Sequence, residues 1–187
     1  MLVIQMTGLS GAGKTTLANL TAHQLTDLGY AVEILDGDQY RQHLWPELTF
    51  SDRDRQENIR RLGYLAQRLT HHGIIVLLAA INPFEAIRSE IRAANPGSQL
   101  VFVNCDLPTL YQRDTKGLYA RASLPDQHPD KLTNLTGVNS PYERPKDADL
   151  VIKTHCMTEA EATKMLLIFL LSCLPYKRQL LTTEETV

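Results

Sequence analysis

The sequence predicts an α/β fold in which a central parallel β-sheet is covered by helices on both faces. Short apolar runs rich in strand-forming residues alternate with helical stretches along the chain, which is the pattern of parallel strands joined by helical crossovers. A glycine-rich loop follows the first apolar run directly. The 187 residues, of which 43% are hydrophobic and 21% charged, fit one compact domain with a sizeable core.

Five apolar runs are predicted to form the strands of this sheet. They span residues 2–7, 31–35, 73–80, 100–104 and 150–153. Helices are predicted for five other stretches, at residues 14–28, 52–71, 83–94, 108–114 and 158–174. The helix at 52–71 has a clear start, because Ser51 and Asp54 have capping-box spacing and an apolar stripe then runs from Ile59 to Leu69.

Between residues 115 and 149 the apolar period disappears, and the chain is rich in Pro, Asp, Asn, His and Lys. A structureless span of this length is uncommon inside a compact domain unless it is functional. We therefore predict a mobile lid over an active site at about 115–149. We expect a single domain over residues 1–175, followed by a polar, frayed tail over residues 176–187.

The charge balance argues against two classes of partner. Nineteen Lys and Arg residues against 21 Asp and Glu give a net charge of -2, so the overall positive field that drives non-specific binding to nucleic acids or acidic membranes is missing. The apolar run at 165–174 has about half the length needed to cross a bilayer. The N-terminus lacks the basic leader of a signal peptide. We expect no nucleic-acid and no membrane partner.

The cysteines and histidines show no metal-binding spacing. Three cysteines, at positions 105, 156 and 173, are odd in number and far apart, which is typical of reduced, mostly buried thiols in a cytoplasmic protein. The histidines at 71, 72, 128 and 155 form no ligand-spaced cluster, so we assign them no metal or base role.

The strongest motif is GLSGAGKT at residues 8–15, which matches G-x-x-x-x-G-K-[ST] between a predicted strand and a predicted helix. Backbone N–H groups of such a loop point at phosphate oxygens, and the helix N-terminus adds partial positive charge. The motif predicts a P-loop NTPase fold. The predicted nucleotide-binding residues are Gly8, Ser10, Gly11, Ala12, Gly13, Lys14, Thr15 and Thr16.

Two residues of this loop have specific predicted roles. Lys14 can reach the β and γ phosphates as a catalytic charge, and the Thr15 hydroxyl can ligate the Mg²⁺ that bridges them. The N-K-x-D element usual in guanine-specific switches is absent from the sequence. This absence favours ATP and the phosphorylation of a small molecule.

Two carboxylates, Asp36 and Asp38, follow the second predicted strand, where ligands collect in open α/β sheets. One could accept the proton of an attacking hydroxyl while the other helps to hold Mg²⁺ through water. A simple Asp-Gly-Asp turn is the alternative. Both are candidate catalytic residues, and we favour Asp36 slightly, as base and as metal residue, because it is nearer the strand end.

Residues 50–61 place four arginines at the start of a predicted helix. Cations near a helix N-terminus oppose the macrodipole, so this block is a poor choice for helix stability alone. Arg55 and Asn58 share a helix face that could clamp an anionic substrate. A solvated face, in which Asp54 and Glu57 pair with the arginines, is the alternative.

The chain resembles the adenylylsulfate kinases, ATP-dependent enzymes that phosphorylate the 3′-hydroxyl of adenosine 5′-phosphosulfate (APS). The matching motifs, in order, are GLSGAGKTT at 8–16, DGD at 36–38 with Arg41, the block at 50–61, INPF at 81–84, RDTKGLY at 113–119, TG at 136–137 and PYE at 141–143. The block at 50–61 and the KGLY element are specific to this family, whereas the glycine loop is not.

The resemblance implies roles for further residues. The acceptor would be held by Arg41, Phe50, Arg55, Asn58, Ile81, Lys116 and Leu135. Phe50 would supply a stacking surface, and Arg113 and Arg121 would contact the ATP donor. Arg113 could equally be a cation facing a helix dipole. The resemblance also implies ATP and Mg²⁺ as cofactors, APS as the small-molecule substrate, and a homodimer.

Several positions depart from the family pattern. Asn82 stands where a serine associated with a phosphorylated form is usual, so direct in-line transfer is the preferred mechanism. Leu135 replaces an aromatic residue, Asn139 replaces an aspartate, and the lid between Tyr119 and Thr136 is longer than usual. Two alternatives therefore stay open. One is a sister kinase for another nucleotide-linked or anionic small molecule, and the other is a nucleotide-binding regulator without turnover.

Overall fold

A five-stranded, fully parallel β-sheet forms the centre of the protein in the computed structural model, which describes residues 1–174. The strands are β1 (Val3–Thr7), β2 (Val32–Asp36), β3 (Ile75–Ala79), β4 (Gln99–Asn104) and β5 (Leu150–Lys153). They lie in the order β2-β3-β1-β4-β5. The predicted fold class is confirmed, and every predicted strand is present with ends within two residues of the prediction.

The described residues form seven helices. They are α1 (Lys14–Asp27), α2 (Gly37–Leu44), α3 (Asp52–His71), α4 (Glu85–Ala94), α5 (Leu107–Arg113), α6 (Leu118–Ala122) and α7 (Glu159–Cys173). The sequence did not predict α2, which begins in the Asp-Gly-Asp segment because Asp36 caps it by accepting from two backbone N–H groups. It also missed α6, a helix of 5 residues inside the stretch that lacks an apolar period.

Helices cover both faces of the sheet because side chains along each buried strand alternate in direction. In β3, Ile75 and Leu77 belong to a core that includes residues of α1 and α7. Val76 and Leu78 belong to a second core with residues of α3 and α4. Both faces of the sheet are therefore covered. Loops can form a ligand-binding site only at the edge where the carboxyl ends of the strands lie.

Four loops meet at that edge. The glycine loop follows β1, helix α2 follows β2, residues 80–84 follow β3, and Thr154 follows β5. Since β1 lies between β3 and β4, the glycine loop is in the middle of this edge. This is the place where ligands bind in open α/β sheets.

Some expectations fall outside the described residues or differ from them. Pro175 and the predicted tail at 176–187 lie outside the described part. Each described helix is too short or too polar to span a membrane. The three cysteines are free thiols, and Cys105 is buried, but the expectation of mostly buried thiols was wrong for Cys156, which is exposed.

Candidate active site

The glycine loop wraps around the ammonium group of Lys14. Lys14 Nζ donates hydrogen bonds to the carbonyl oxygens of Gly8 and Leu9, both at 2.8 Å. Burial lowers the pKa of Lys14 to about 8; the charge of Lys116 acts in the same direction, and the charges of Asp38 and Asp36 oppose it. The loop therefore holds a buried cation whose charge is only partly compensated before a phosphate arrives.

Gly8 lets the base of this loop pass close to strand β4. A Cβ atom at Gly8 would lie 2.2 Å from the carbonyl oxygen of Val103, and the φ angle of Gly8 is 154°. A side chain at this position would collide with backbone, which cannot move without breaking the sheet.

Thr15 and Asp36 form a pair of oxygen ligands beside the loop. Thr15 Oγ1 donates to Asp36 Oδ2 at 2.7 Å. The other carboxylate oxygen accepts from the backbone N–H groups of Asp38 at 2.9 Å and Gln39 at 3.2 Å. Asp36 is only 7% exposed, so its carboxylate is held in one orientation. Hydroxyl and carboxylate oxygens are the ligands that Mg²⁺ prefers, and the residues present fit this ion.

Asp38 lies opposite a cation from the predicted lid. Lys116 Nζ donates to Asp38 Oδ2 at 2.6 Å, and the side chain of Asp38 is 65% exposed. Desolvation alone would raise the pKa of Asp38, but the hydrogen bond and charge of Lys116, with the charges of Lys14 and Arg41, hold this pKa below its usual value. The carboxylate is therefore ionised at neutral pH and accessible.

The glycine loop and α2 border a cleft. At the end of this cleft away from the loop, two arginines lie beside an exposed aromatic ring. The ring of Phe50 is 54% exposed, and the guanidinium carbons of Arg41 and Arg55 lie 5.0 and 5.6 Å from its centroid. Burial lowers the pKa of both arginines, and the positive charge of Arg55 lowers the pKa of Arg41 further. A flat exposed ring between two cations suits a ligand that combines an aromatic base with an anion.

Arg55 also fastens the predicted lid to helix α3. Its Nη1 donates to Thr136 Oγ1 at 2.7 Å, its Nη2 to the Asn134 carbonyl at 2.6 Å and its Nε to the Phe50 carbonyl at 2.9 Å. The side chain is 9% exposed. Arg55 therefore joins this end of the cleft to the predicted lid.

Asn58 is held by neighbours that the sequence did not identify as site residues. Trp45 Nε1 donates to Asn58 Oδ1 at 2.5 Å, and Asn58 Nδ2 donates to the Gly37 carbonyl at 3.3 Å. Asn58 thereby links α3 to α2, the helix that carries Asp38 and Arg41. The missed signal was the tryptophan itself, since a buried indole N–H usually has a partner.

Arg113 and Thr154 lie at the end of the cleft that is next to the glycine loop. Arg113 Nη2 donates to the Thr154 carbonyl at 2.7 Å, and Thr154 Oγ1 donates to the Ala12 carbonyl at 2.9 Å. Met157 and Ala162 line the same region. Thr154 was not predicted from the sequence, although its place directly after a predicted strand was a usable signal.

The model of the adenylylsulphate kinase family matches residues 1–153 of this chain. The chain belongs to the adenylylsulphate kinase family. The adenylyl-sulfate kinase of Chloroflexus aurantiacus is 47% identical over 166 residues, which cover 89% of this chain and 87% of that protein. The adenylyl-sulfate kinase of a Synechococcus strain (JA-3-3Ab) is 50% identical over 153 residues, 81% of this chain and 83% of that protein.

Solved structures agree with this membership. The APS kinase of Mycobacterium tuberculosis in complex with AMPPNP and APS superposes with a TM-score of 0.82 at 36% identity, covering 90% of this chain and 96% of that one. A gluconokinase from Sinorhizobium meliloti, at 20% identity and a TM-score of 0.60, shares the fold alone.

In this member of the adenylylsulphate kinase family, most of the residues named from the sequence line one cleft with a cavity of about 380 Å³. This volume is in the usual range for small-molecule sites. The named residues that line it are Ser10, Gly11, Ala12, Gly13, Lys14, Thr15, Thr16, Asp36, Asp38, Arg41, Phe50, Arg55, Asn58, Ile81, Arg113 and Lys116.

Three named residues of this kinase-family member do not line the cleft. Gly8 forms the base of the glycine loop. Arg121 is an exposed residue of α6 and donates from Nε to the Asp130 carbonyl at 3.2 Å. Leu135 is 5% exposed and packs in the core shared with α1 and α7, and its backbone N–H donates to Asn139 Oδ1 at 2.6 Å. The predicted binding roles of Arg121 and Leu135 therefore have no support from the lining of the cleft.

Tyr119 joins the predicted lid to the glycine loop. Its hydroxyl donates to the Ser10 carbonyl at 2.8 Å, and the side chain is 2% exposed. Burial raises the pKa of this phenol, so it remains a donor across the working pH range. Helix α6 is thus fixed to the loop that is expected to bind phosphates.

His155 belongs to a spatial cluster that its spacing in the sequence does not show. Ligand atoms of His155, Cys105 and Asp106 lie within 4.8 Å of one another. Parallel pairing of β4 and β5 produces this approach, which sequence spacing does not show. We assign no metal to the cluster, because Arg113 Nη1, 3.6 Å from Cys105 Sγ, places a fixed positive charge against it.

Proposed function

We propose that this protein transfers the γ-phosphoryl group of ATP to the 3′-hydroxyl of APS, giving 3′-phosphoadenosine 5′-phosphosulfate and ADP. The observation that carries the proposal is one continuous cleft with a phosphate loop at one end and the Arg41–Phe50–Arg55 group at the other. The Asp38 carboxylate interacts electrostatically with both ends, through Lys14 and Arg41. Relatives that are 47% and 50% identical to this chain are named adenylyl-sulfate kinases.

The donor end suits ATP with Mg²⁺. Lys14 carries a buried positive charge that a β or γ phosphate would compensate. Thr15 and Asp36 would hold the ion, Asp36 through water, and the bound ion would supply positive charge next to the phosphates. The M. tuberculosis relative was solved with AMPPNP, an ATP analogue. Arg113 lines this end and is free to pack against the nucleoside through its planar face.

The acceptor end suits a nucleotide with a strongly anionic 5′ group. Phe50 offers an exposed face on which adenine can stack. Arg41, Arg55 and Lys116 bring three positive charges to the same end of the cleft, and guanidinium groups bind phosphate and sulfate oxygens in pairs. The APS bound to the M. tuberculosis relative has this combination of base and anion.

We assign the role of base to Asp38 and leave Asp36 to the metal. The Asp36 carboxylate accepts from Thr15 and from two backbone N–H groups and is 7% exposed, whereas the Asp38 side chain is 65% exposed. The 3′-oxygen attacks the γ phosphorus in line, and the bond to the β–γ bridging oxygen breaks. ADP leaves with that oxygen, and the hydroxyl proton passes to the Asp38 carboxylate.

Transfer is direct in this proposal because the chain offers no hydroxyl at the position after Ile81. Asn82 stands there, 2% exposed. Its amide cannot carry a phosphoryl group as a serine hydroxyl can. A phosphorylated enzyme intermediate at this position is therefore not part of the mechanism.

The experiment is ADP release from Mg-ATP with and without micromolar APS, with the product identified by mass. We expect one ADP for each 3′-phosphoadenosine 5′-phosphosulfate formed, and none with an APS analogue that lacks the 3′-hydroxyl. Asp38→Asn should lower kcat by about a hundredfold or more, the usual range for a general base, while ATP still binds. ATP binding without APS-dependent ADP would overturn the proposal. Other nucleotide-linked anions would then test a sister kinase, and a regulator would show no turnover with any of them.

We also propose that residues 1–175 form one kinase domain, that residues 115–149 move as its lid, and that the enzyme works in the cytoplasm as a homodimer. One sheet with a core on each face supports the single domain. Free thiols support a reducing compartment. The homodimer rests on the family resemblance, and light scattering of the purified protein tests it.

A further inference from the structure

A buried arginine lies behind the acceptor end of the cleft, outside the residues that line it. Arg88 of helix α4 is only 1% exposed and is one of the largest fully buried side chains of the described residues. Arginine is rarely buried this fully, since a buried charge is costly unless its donors are all matched by acceptors. The partners of Arg88 therefore indicate what the residue is for.

Those partners belong to two segments of the site. Arg88 Nη1 donates to the carbonyl oxygen of Asn82 at 2.8 Å, and Nη2 donates to the carbonyl oxygen of Glu143 at 2.7 Å. Its charge is balanced one turn away by Glu85, whose Oε2 accepts from Nη2 at 2.6 Å and from Nε at 3.1 Å. The guanidinium thus bridges the loop after β3 and the segment in which the predicted lid returns to the sheet.

The first of these segments has an unusual backbone. Asn82 has a φ of 42°, in the left-handed region that non-glycine residues seldom adopt, and Pro83 follows it. Its carbonyl oxygen is held from two sides, by Arg88 and by Thr7 Oγ1 at 3.2 Å. Thr7 Oγ1 also lies 2.6 Å from the carbonyl oxygen of Ile81. Backbone of this kind persists only where the surroundings fix it, and here it determines how Ile81 faces the cleft.

The second segment is tied to the same loop. The Glu143 N–H donates to the Pro83 carbonyl at 2.9 Å, and Glu143 Oε2 accepts from the Glu85 N–H at 2.6 Å. The Tyr142 hydroxyl lies 3.0 Å from Thr7 Oγ1 on β1, the strand that leads into the phosphate loop. One network therefore links the end of the predicted lid to β1 and to the loop after β3. We call that loop, residues 80–84, the acceptor loop.

We propose that Arg88 is a positioning residue for the acceptor. By holding the carbonyl groups of Asn82 and Glu143 together, it fixes the acceptor loop in its strained form and anchors the returning end of the lid. Arg88 itself does not line the cleft, so it acts through the loop and the lid. The proposal rests on the proposed function only for the identity of the acceptor.

The kinetic test compares Arg88→Gln and Arg88→Lys with Arg60→Ala, which removes an arginine that pairs with Glu90 at the surface. We expect Arg88→Gln to raise the KM for APS by about tenfold to a hundredfold, the range for losing a charge-assisted hydrogen bond. The KM for ATP should change by less than about twofold. Arg88→Lys, which keeps the charge but not the planar fork, should fall between wild type and Arg88→Gln. Arg60→Ala should behave as wild type.

Hydrogen exchange gives a second readout that does not depend on the acceptor. In Arg88→Gln, the backbone amides of Ile81, Asn82 and Phe84 and those of residues 142–144 should exchange at least about tenfold faster, while those of α1 should not change. If Arg88→Gln fails to fold, Tyr142→Phe removes only the contact to Thr7 and should give smaller changes in the same two segments and in the KM for APS.

Two results would refute the positioning role. One is an equal loss of affinity for ATP and APS with faster exchange throughout the protein, which would make Arg88 a general stabilising residue. The other is an unchanged KM for APS together with unchanged exchange. Absence of APS-dependent turnover in the wild type would count against the proposed function instead, and the exchange pattern of Arg88→Gln would still decide the role of Arg88.

Discussion

ATP binding should take up a proton near pH 8, and Lys14 should be the group that accepts it. Burial, assisted by the charge of Lys116, lowers the pKa of Lys14 to about 8 in the free protein, although Asp38 and Asp36 oppose the shift. Phosphate oxygens at the glycine loop would favour the charged form and return the pKa of Lys14 towards its ordinary value of about 10.4. The lysine is therefore partly neutral before ATP binds and fully charged afterwards.

The expected uptake follows from the two pKa values of Lys14. It is about 0.1 proton per ATP at pH 7, about 0.5 at pH 8 and about 0.9 at pH 9. The phosphates of ATP are themselves fully ionised at pH 8 and above, since the relevant phosphate pKa is about 6. The lowered pKa of Lys14 also affects the stability of the free protein. Below pH 8 it reduces the free energy of unfolding by ~3 kcal/mol. Between pH 8 and 10 the unfolded chain holds more protons at Lys14 than the folded protein, so this loss of stability disappears as the pH rises.

Calorimetry of a non-hydrolysable ATP analogue at pH 7, 8 and 9 measures this uptake. The binding enthalpy is recorded in buffers with different ionisation enthalpies, and its slope against them gives the number of protons. Lys14→Arg is the matched control, because it keeps a permanent charge and should abolish the pH-dependent uptake. Uptake that is constant with pH, or that persists in Lys14→Arg, would refute the reasoning.

Two other substitutions test the acceptor end and the glycine loop. Arg55→Ala should raise the KM for APS by about a hundredfold with the ATP affinity unchanged, because the clamp and the contact to Thr136 are lost. Arg53→Ala is the control. Equal losses of affinity for ATP and APS would show that Arg55 is structural. Gly8→Ala should lower the free energy of unfolding by ~3 kcal/mol or more, since its Cβ would lie 2.2 Å from a backbone oxygen. Gly73→Ala, which has a positive φ but open space, should cost only ~1 kcal/mol in the same denaturant titration, and equal values would contradict the close approach.

Much of the fold and the donor end could be predicted from short stretches of sequence. Loops of this type bind phosphate through their own backbone and the helix that follows them, so GLSGAGKT predicts a local structure without reference to distant residues. The internal strand β3 is a continuous apolar run for a similar reason, since a buried strand must be apolar on both faces of a covered sheet. The family resemblance then supplied the acceptor, because the block at 50–61 and the KGLY element occur together in order.

What the sequence by itself determined is therefore the fold class, the phosphate loop and the family to which the chain belongs. The tertiary structure decided which side chains meet. It showed that the Asp36 carboxylate caps α2 and accepts from Thr15, whereas the Asp38 side chain is exposed and pairs with Lys116. It also showed that Leu135 packs into the core. It also placed Arg88 between two segments 61 residues apart, at Asn82 and Glu143. Motifs encode contacts among neighbouring residues, whereas these contacts depend on strand order and helix packing across the whole chain.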